Sequence, residues 1–91
     1  MTIENAMSTY RLPNPTTPED LECGWSKVLS YGDRVLLAGY CYNGAGQPCY
    51  FGAVYEYLDD EQGPEATIGL QEVSDVEFED DGHAIAWAMG M

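Results

Sequence analysis

Two runs with strand composition, Arg34–Tyr42 (RVLLAGYCY) and Cys49–Leu58 (CYFGAVYEYL), lie on either side of Asn43-Gly44-Ala45-Gly46-Gln47. Asn-Gly is turn chemistry, and both runs are largely apolar with valine and aromatic residues among them, so the pair reads as an antiparallel hairpin. This hairpin constrains everything else. The chain has 91 residues, enough for one core and no second one. That core must be built on the hairpin.

The remaining segments read as shorter elements around it. Thr17-Pro18-Glu19-Asp20 predicts a helix start, with Thr17 as cap, Pro18 at the first helical position and two acids in the first turn. Gly24 stops that helix after one or two turns. Trp25–Ser30 predicts a strand turned by Tyr31-Gly32-Asp33, and Ala66–Gln71 predicts another. Val73–Glu79 and Ala84–Met89 predict a last hairpin about an Asp-Gly turn. Residues 1–16, with Pro13 and Pro15, read as extended or poorly ordered. The expected fold is therefore α+β and mainly β: a five- or six-stranded antiparallel sheet or small barrel with one short N-terminal helix. Residues 17–91 would form a single acidic β-rich domain.

Charge bears most directly on function. Sixteen carboxylates face three basic side chains, Arg11, Lys27 and Arg34, for a net charge of −13. Eleven of those carboxylates follow Arg34, and no Lys or Arg does. Such a chain repels nucleic acid and anionic membranes and is steered toward basic protein surfaces. The N-terminal MTIENAMSTYRL lacks the basic and apolar regions of a signal peptide, and no apolar run approaches a membrane span of about 20 residues. A cytoplasmic protein with reduced thiols is the expectation.

Within Ser74–Gly82, strand alternation puts Val76 and Phe78 on one face and Asp75, Glu77 and Glu79 on the other, with Asp81 continuing the row. Carboxylates two residues apart in a strand are about 6.6–6.8 Å apart. Neighbouring phosphates along a DNA strand are separated by roughly 6–7 Å. A strand of this kind can imitate a phosphate backbone. Its more ordinary reading is the polar face of an antiparallel sheet. Asp80 belongs to the same cluster, and Asp59, Asp60, Glu61 and Glu65 extend the candidate surface from a loop. Tyr40, Tyr42, Tyr50, Tyr55 and Tyr57 crowd the first hairpin. Tyr55 and Tyr57, sharing a face, are candidate aromatic anchors as well as candidate core residues.

Catalysis has little support. His83 is the single histidine and reads as a turn residue, and no GxSxG, P-loop or GxGxxG motif is present. Glu77, Glu79 and Asp81 are only faintly like a calcium loop, with Ala88 where the bidentate Glu would stand. Cys23, Cys41 and Cys49 are odd in number and contain no CxxC pair, so neither a disulfide framework nor a zinc site is expected. Cys41 and Cys49 flank the hairpin turn as possible cross-strand neighbours. No cofactor or metal is expected.

Small size, the acidic row Asp75, Glu77, Glu79 and Asp81, and the absence of basic residues after Arg34 resemble the small acidic inhibitors that phages direct against host defences. These include DNA-mimic anti-CRISPR and anti-restriction proteins. The resemblance is one of class, without a shared motif. It implies a non-enzymatic inhibitor, in the host cytoplasm if phage-encoded, that binds the basic DNA-binding surface of a nucleic-acid-binding complex. Two alternatives stay open: an immunity or antitoxin protein that neutralises a basic nuclease, and an adaptor that pairs through a sheet edge or its tyrosine-rich hairpin.

Overall fold

The hairpin forms as its sequence predicts, and a computed structural model describes residues 2–91 around it. The elements run α1 (Ile3–Tyr10), α2 (Pro18–Glu22), β1 (Lys27–Tyr31), β2 (Arg34–Tyr42), β3 (Pro48–Tyr57), β4 (Ile68–Val73) and α3 (Asp81–Met89). The turn between β2 and β3 is organised by Asn43, whose Oδ1 accepts from the amides of Ala45 (2.9 Å) and Gln47 (3.0 Å). Gly46 supplies the left-handed backbone that closes it, at φ 78°. The β2–β3 register runs from Arg34↔Glu56 to Tyr42↔Pro48.

The strands lie in the order β1-β2-β3-β4 as an open antiparallel meander. This corrects the expected five or six strands or barrel: there are four strands, no closure, and three helices among the described residues. Two segments account for the difference. Ala84–Met89 alternates small and large residues as a strand would, yet it belongs to α3. Asp80 caps that helix, its side chain accepting from the His83 amide. Three alanines within it are strong helix formers. Ala84, Ile85 and Ala88 are its buried residues, a spacing that makes one helical face. With that strand gone, Ser74–Asp80 has no hairpin partner and becomes a connector. The second segment is the N-terminus, expected to be extended. Thr2 caps α1 by accepting from the Asn5 amide at 3.1 Å, and Arg11 ends it in the left-handed region at φ 57°. Pro13, Pro15 and Pro18 all fall after this helix and leave it intact.

Both faces of the sheet are covered, which explains the unbroken apolar stretch in β2. On one face Val35, Leu37, Phe51, Ala53, Tyr55 and Leu70 pack against Ala6, Leu12 and Leu21 from the N-terminal segment. On the other, Leu36, Ala38 and Val54 pack against Ala84, Ile85 and Ala88 of α3. Gly52 lets α3 come close: a Cβ there would stand 2.8 Å from the Ala84 carbonyl oxygen and 2.7 Å from the Trp87 ring. The outer side of β4 is occupied by the chain before α2. Thr16 and Ile68 exchange backbone hydrogen bonds of 3.0 and 2.8 Å, and Asn14 Oδ1 accepts from the Leu70 amide at 3.0 Å. β1 is left as the edge without a strand neighbour. Among the described residues no helix is long and apolar enough to cross a membrane.

Candidate functional site

The acids chosen from the sequence are exposed, apart from half-buried Asp81, but they form two groups. Asp75, Glu77, Glu79 and Asp80 lie on the connector and Asp81 opens α3. The connector is tied to the start of β3, where Tyr50 and Phe78 exchange backbone hydrogen bonds of 2.9 and 2.7 Å. Asp59, Asp60, Glu61 and Glu65 lie in the loop after β3, whose start is fixed by Leu58 N donating to Thr67 O at 3.0 Å. From Tyr50 to Leu58 is about 26 Å along an extended strand. The two groups therefore occupy opposite ends of β3 and do not make one patch. The connector is not a regular strand either. The chain bends on both sides of Phe78, which forms an isolated bridge to Tyr50, so the even carboxylate ladder expected over Asp75–Asp81 is not formed.

Asp80 has an internal task. Its Oδ1 accepts from the His83 amide at 2.7 Å, and both carboxylate oxygens lie 2.9 Å from His83 Nδ1. The backbone hydrogen bond from His83, then the side-chain one, hold the Asp80 carboxyl below its usual range. Glu77, Phe78, Glu79 and His83 line an open depression beside this cap. Of the basic residues, Arg34 is engaged by Glu56 at 3.9 Å and by the Met91 carbonyl. Lys27 is on β1, at the opposite side of the sheet from the connector.

Of the two readings open for Tyr55 and Tyr57, anchor or core, the structure places both at the core. Tyr55 is fully buried, and its hydroxyl donates to the Pro13 carbonyl at 2.9 Å. Burial pushes its pKa upward. Its ring belongs to the core and cannot meet a partner. Tyr57 is half-buried against the same core. The tyrosines at the surface are Tyr40 (46 % exposed) and Tyr42 (66 %) at the turn end of the hairpin. They meet edge-on at 5.3 Å, and Tyr40 meets Tyr50 at 5.4 Å. Phe78 pairs with Tyr50 along the backbone and lies 6.5 Å from Trp87. A band of rings thus borders the acidic connector. Two residues apart in β2, Tyr40 and Tyr42 share one face. Their exposure depends on where α3 ends, which the predicted hairpin concealed.

On the opposite face, at the same end, lies a group absent from the sequence reading. Cys41 and Cys49 are directly paired across β2 and β3, with Sγ atoms 2.9 Å apart. The connector brings Glu77 Oε2 to 2.7 Å from Cys49 Sγ and 4.0 Å from Cys41 Sγ. All three ligand atoms lie within 4.8 Å of one another, a set capable of holding a metal ion. Cys49 is buried, Cys41 half-buried and Glu77 exposed, while Cys23 is exposed and elsewhere. Burial first, then hydrogen bonding to Cys41 and Glu77, pushes the Cys49 thiol up. Tyr10 stacks on Phe51 at 3.8 Å beneath this cluster. Its hydroxyl is also raised, by burial and then by the charge of Cys41 and Glu77. The symmetric placement of both cysteines about the turn left them open as cross-strand neighbours, and the register makes them so. The approach of Glu77 rests on the Tyr50–Phe78 bridge, a contact without a local sequence signal.

Neither curated proteins nor solved structures give a match to this chain. A family model does match, over residues 12–91, which include every strand, α2, α3, the acidic connector and the thiol cluster. The chain belongs to the family described as nucleotide modification associated domain 4.

Proposed function

We propose that this domain is a non-catalytic, acidic protein-binding module that docks on the basic, DNA-binding surface of a protein partner and competes there with DNA. The family description suggests where such a partner belongs, among the proteins that modify nucleotides. The observation that carries the reading is the connector end of β3, where exposed carboxylates border exposed tyrosines. Carboxylates steer a basic partner and set register, and aromatic rings supply the buried contact that charge alone lacks. A net charge of −13 argues against direct contact with nucleic acid. The mimicry would be one of charge and not of even phosphate spacing, because the connector is irregular.

The test is capture of partners by the tagged chain from lysate of its own cells, at low and high salt, with and without added duplex DNA. A DNA-binding protein held at low salt, released at high salt and displaced by duplex supports the reading. Capture that duplex leaves untouched, or that survives Glu79→Gln with Asp81→Asn unchanged in its salt dependence, overturns it. A lone basic nuclease toxin among the bound proteins would replace it with the immunity reading. Glu77 is left intact in this test because it also belongs to the thiol cluster.

A further inference from the structure

We infer that Cys41, Cys49 and Glu77 form a binding site for a thiophilic divalent cation of the zinc class. The two strands of the β2–β3 hairpin and the connector, whose Glu77 lies 28 residues beyond Cys49, bring three ligand atoms within 4.8 Å of one another. A tetrahedral zinc ion with two thiolates and one carboxylate needs sulfurs about 3.8 Å apart and sulfur–oxygen separations of about 3.6 Å, from metal–ligand distances of about 2.3 and 2.1 Å. The observed separations, 2.9, 2.7 and 4.0 Å, come to those values with atomic shifts of about 1 Å or less. Side-chain torsions supply such shifts without moving the strands.

The chemistry of the set favours a cation over the other uses of paired cysteines. Reactive and redox-active thiols sit in electropositive surroundings that stabilise the thiolate. Here the neighbour is a carboxylate, in a chain with net charge −13. A disulfide would also leave Glu77 facing two sulfurs with no proton to share. A divalent cation uses all three groups: binding releases the two thiol protons to solvent and leaves a local charge of −1. Two soft sulfurs select against magnesium and calcium, which take oxygen ligands. Cys49 forms the buried floor of the site and Glu77 its exposed rim, so the fourth coordination position opens toward solvent. Water or a side chain of a docked protein can fill it.

Cobalt(II) is the probe, added to the reduced full-length chain and followed by absorption. The expected result is a thiolate-to-cobalt charge-transfer band that saturates at one ion per chain and is bleached by zinc. Cys23→Ser retains the band and Cys41→Ser abolishes it. Glu77→Gln, at an exposed position, weakens binding by at least about tenfold, the least that losing even an outer partner of a metal ligand costs. Circular dichroism of the metal-free variants separates lost ligation from lost fold. Absence of the band in the unaltered chain overturns the inference, as does a band that follows Cys23 and not Cys41.

Discussion

The two acid-rich ends of β3 carry similar charge in different surroundings. The loop after β3 offers Asp59, Asp60, Glu61 and Glu65 beside Leu58, itself 54 % exposed, with the exposed ring of Tyr31 at the same end of the sheet, two strands away. The connector end offers Asp75, Glu77, Glu79, Asp80 and Asp81 beside Tyr40, Tyr42, Tyr50 and Phe78, with the thiol cluster behind them. Charge by itself attracts at long range and is screened by salt within about 8 Å under physiological conditions. Charge joined to rigid aromatic surface can hold what it attracts. On the proposed function, the loop would serve solubility and steering and the connector end recognition.

The largest expected effect tests whether the connector end is a separately built structure. Phe51→Ala removes a buried ring that stacks on Tyr10 and meets Trp25 edge-on at 5.8 Å, and should cost about 3–5 kcal/mol. Denaturant unfolding measures the loss. Hydrogen exchange should show α1 and the thiol cluster loosened before the loop at the other end. Next comes Tyr40→Ala with Tyr42→Ala, expected to weaken partner binding by about 2 kcal/mol or more while leaving stability nearly unchanged, as befits exposed anchors. Equal affinity for this variant and the unaltered chain would remove the distinction between the two ends.

Smaller effects sharpen the contrast. Asp80→Ala should lower stability modestly through the lost cap of α3. Because the folded state depresses the Asp80 carboxyl, that contribution is present above its unfolded value, near 3.8, and is lost as pH falls through the lower folded value. Thermal melts of the two proteins should therefore converge in strong acid and separate toward neutrality. Smallest of all, neutralising Asp59, Asp60 and Glu61 together should slow association at low salt and leave dissociation unchanged, as rim charges do. Stopped-flow association at two ionic strengths would reveal it, and a slower rate that persists at high salt would contradict it.

How much of this was legible differed by region. β2 was predicted at its observed bounds, and α2 followed from Thr17 and Pro18, because both rest on local signals: strand composition, turn residues and a cap. The acids were rightly placed at the surface. Ala84–Met89 misled because alternation of alanine with large residues fits a strand as well as a helix. The decision lay with Asp80, read there as part of a turn and an acidic cluster. That single error added a strand, straightened the connector into a ladder of carboxylates and hid the exposure of Tyr40 and Tyr42. Tyr55 could not be told from a surface tyrosine by alternation alone, since β3 is covered on both faces.

The chain before α2 has one more consequence. It lies along the outer side of β4, while the connector closes the start of β3. Among the described residues β1 is the edge strand that no other segment lines, so its backbone groups are open to another strand. Two molecules joined through β1 about a two-fold axis would consume that edge in both and turn outward the β4 sides, each lined at Ile68 and Leu70 by its own N-terminal segment.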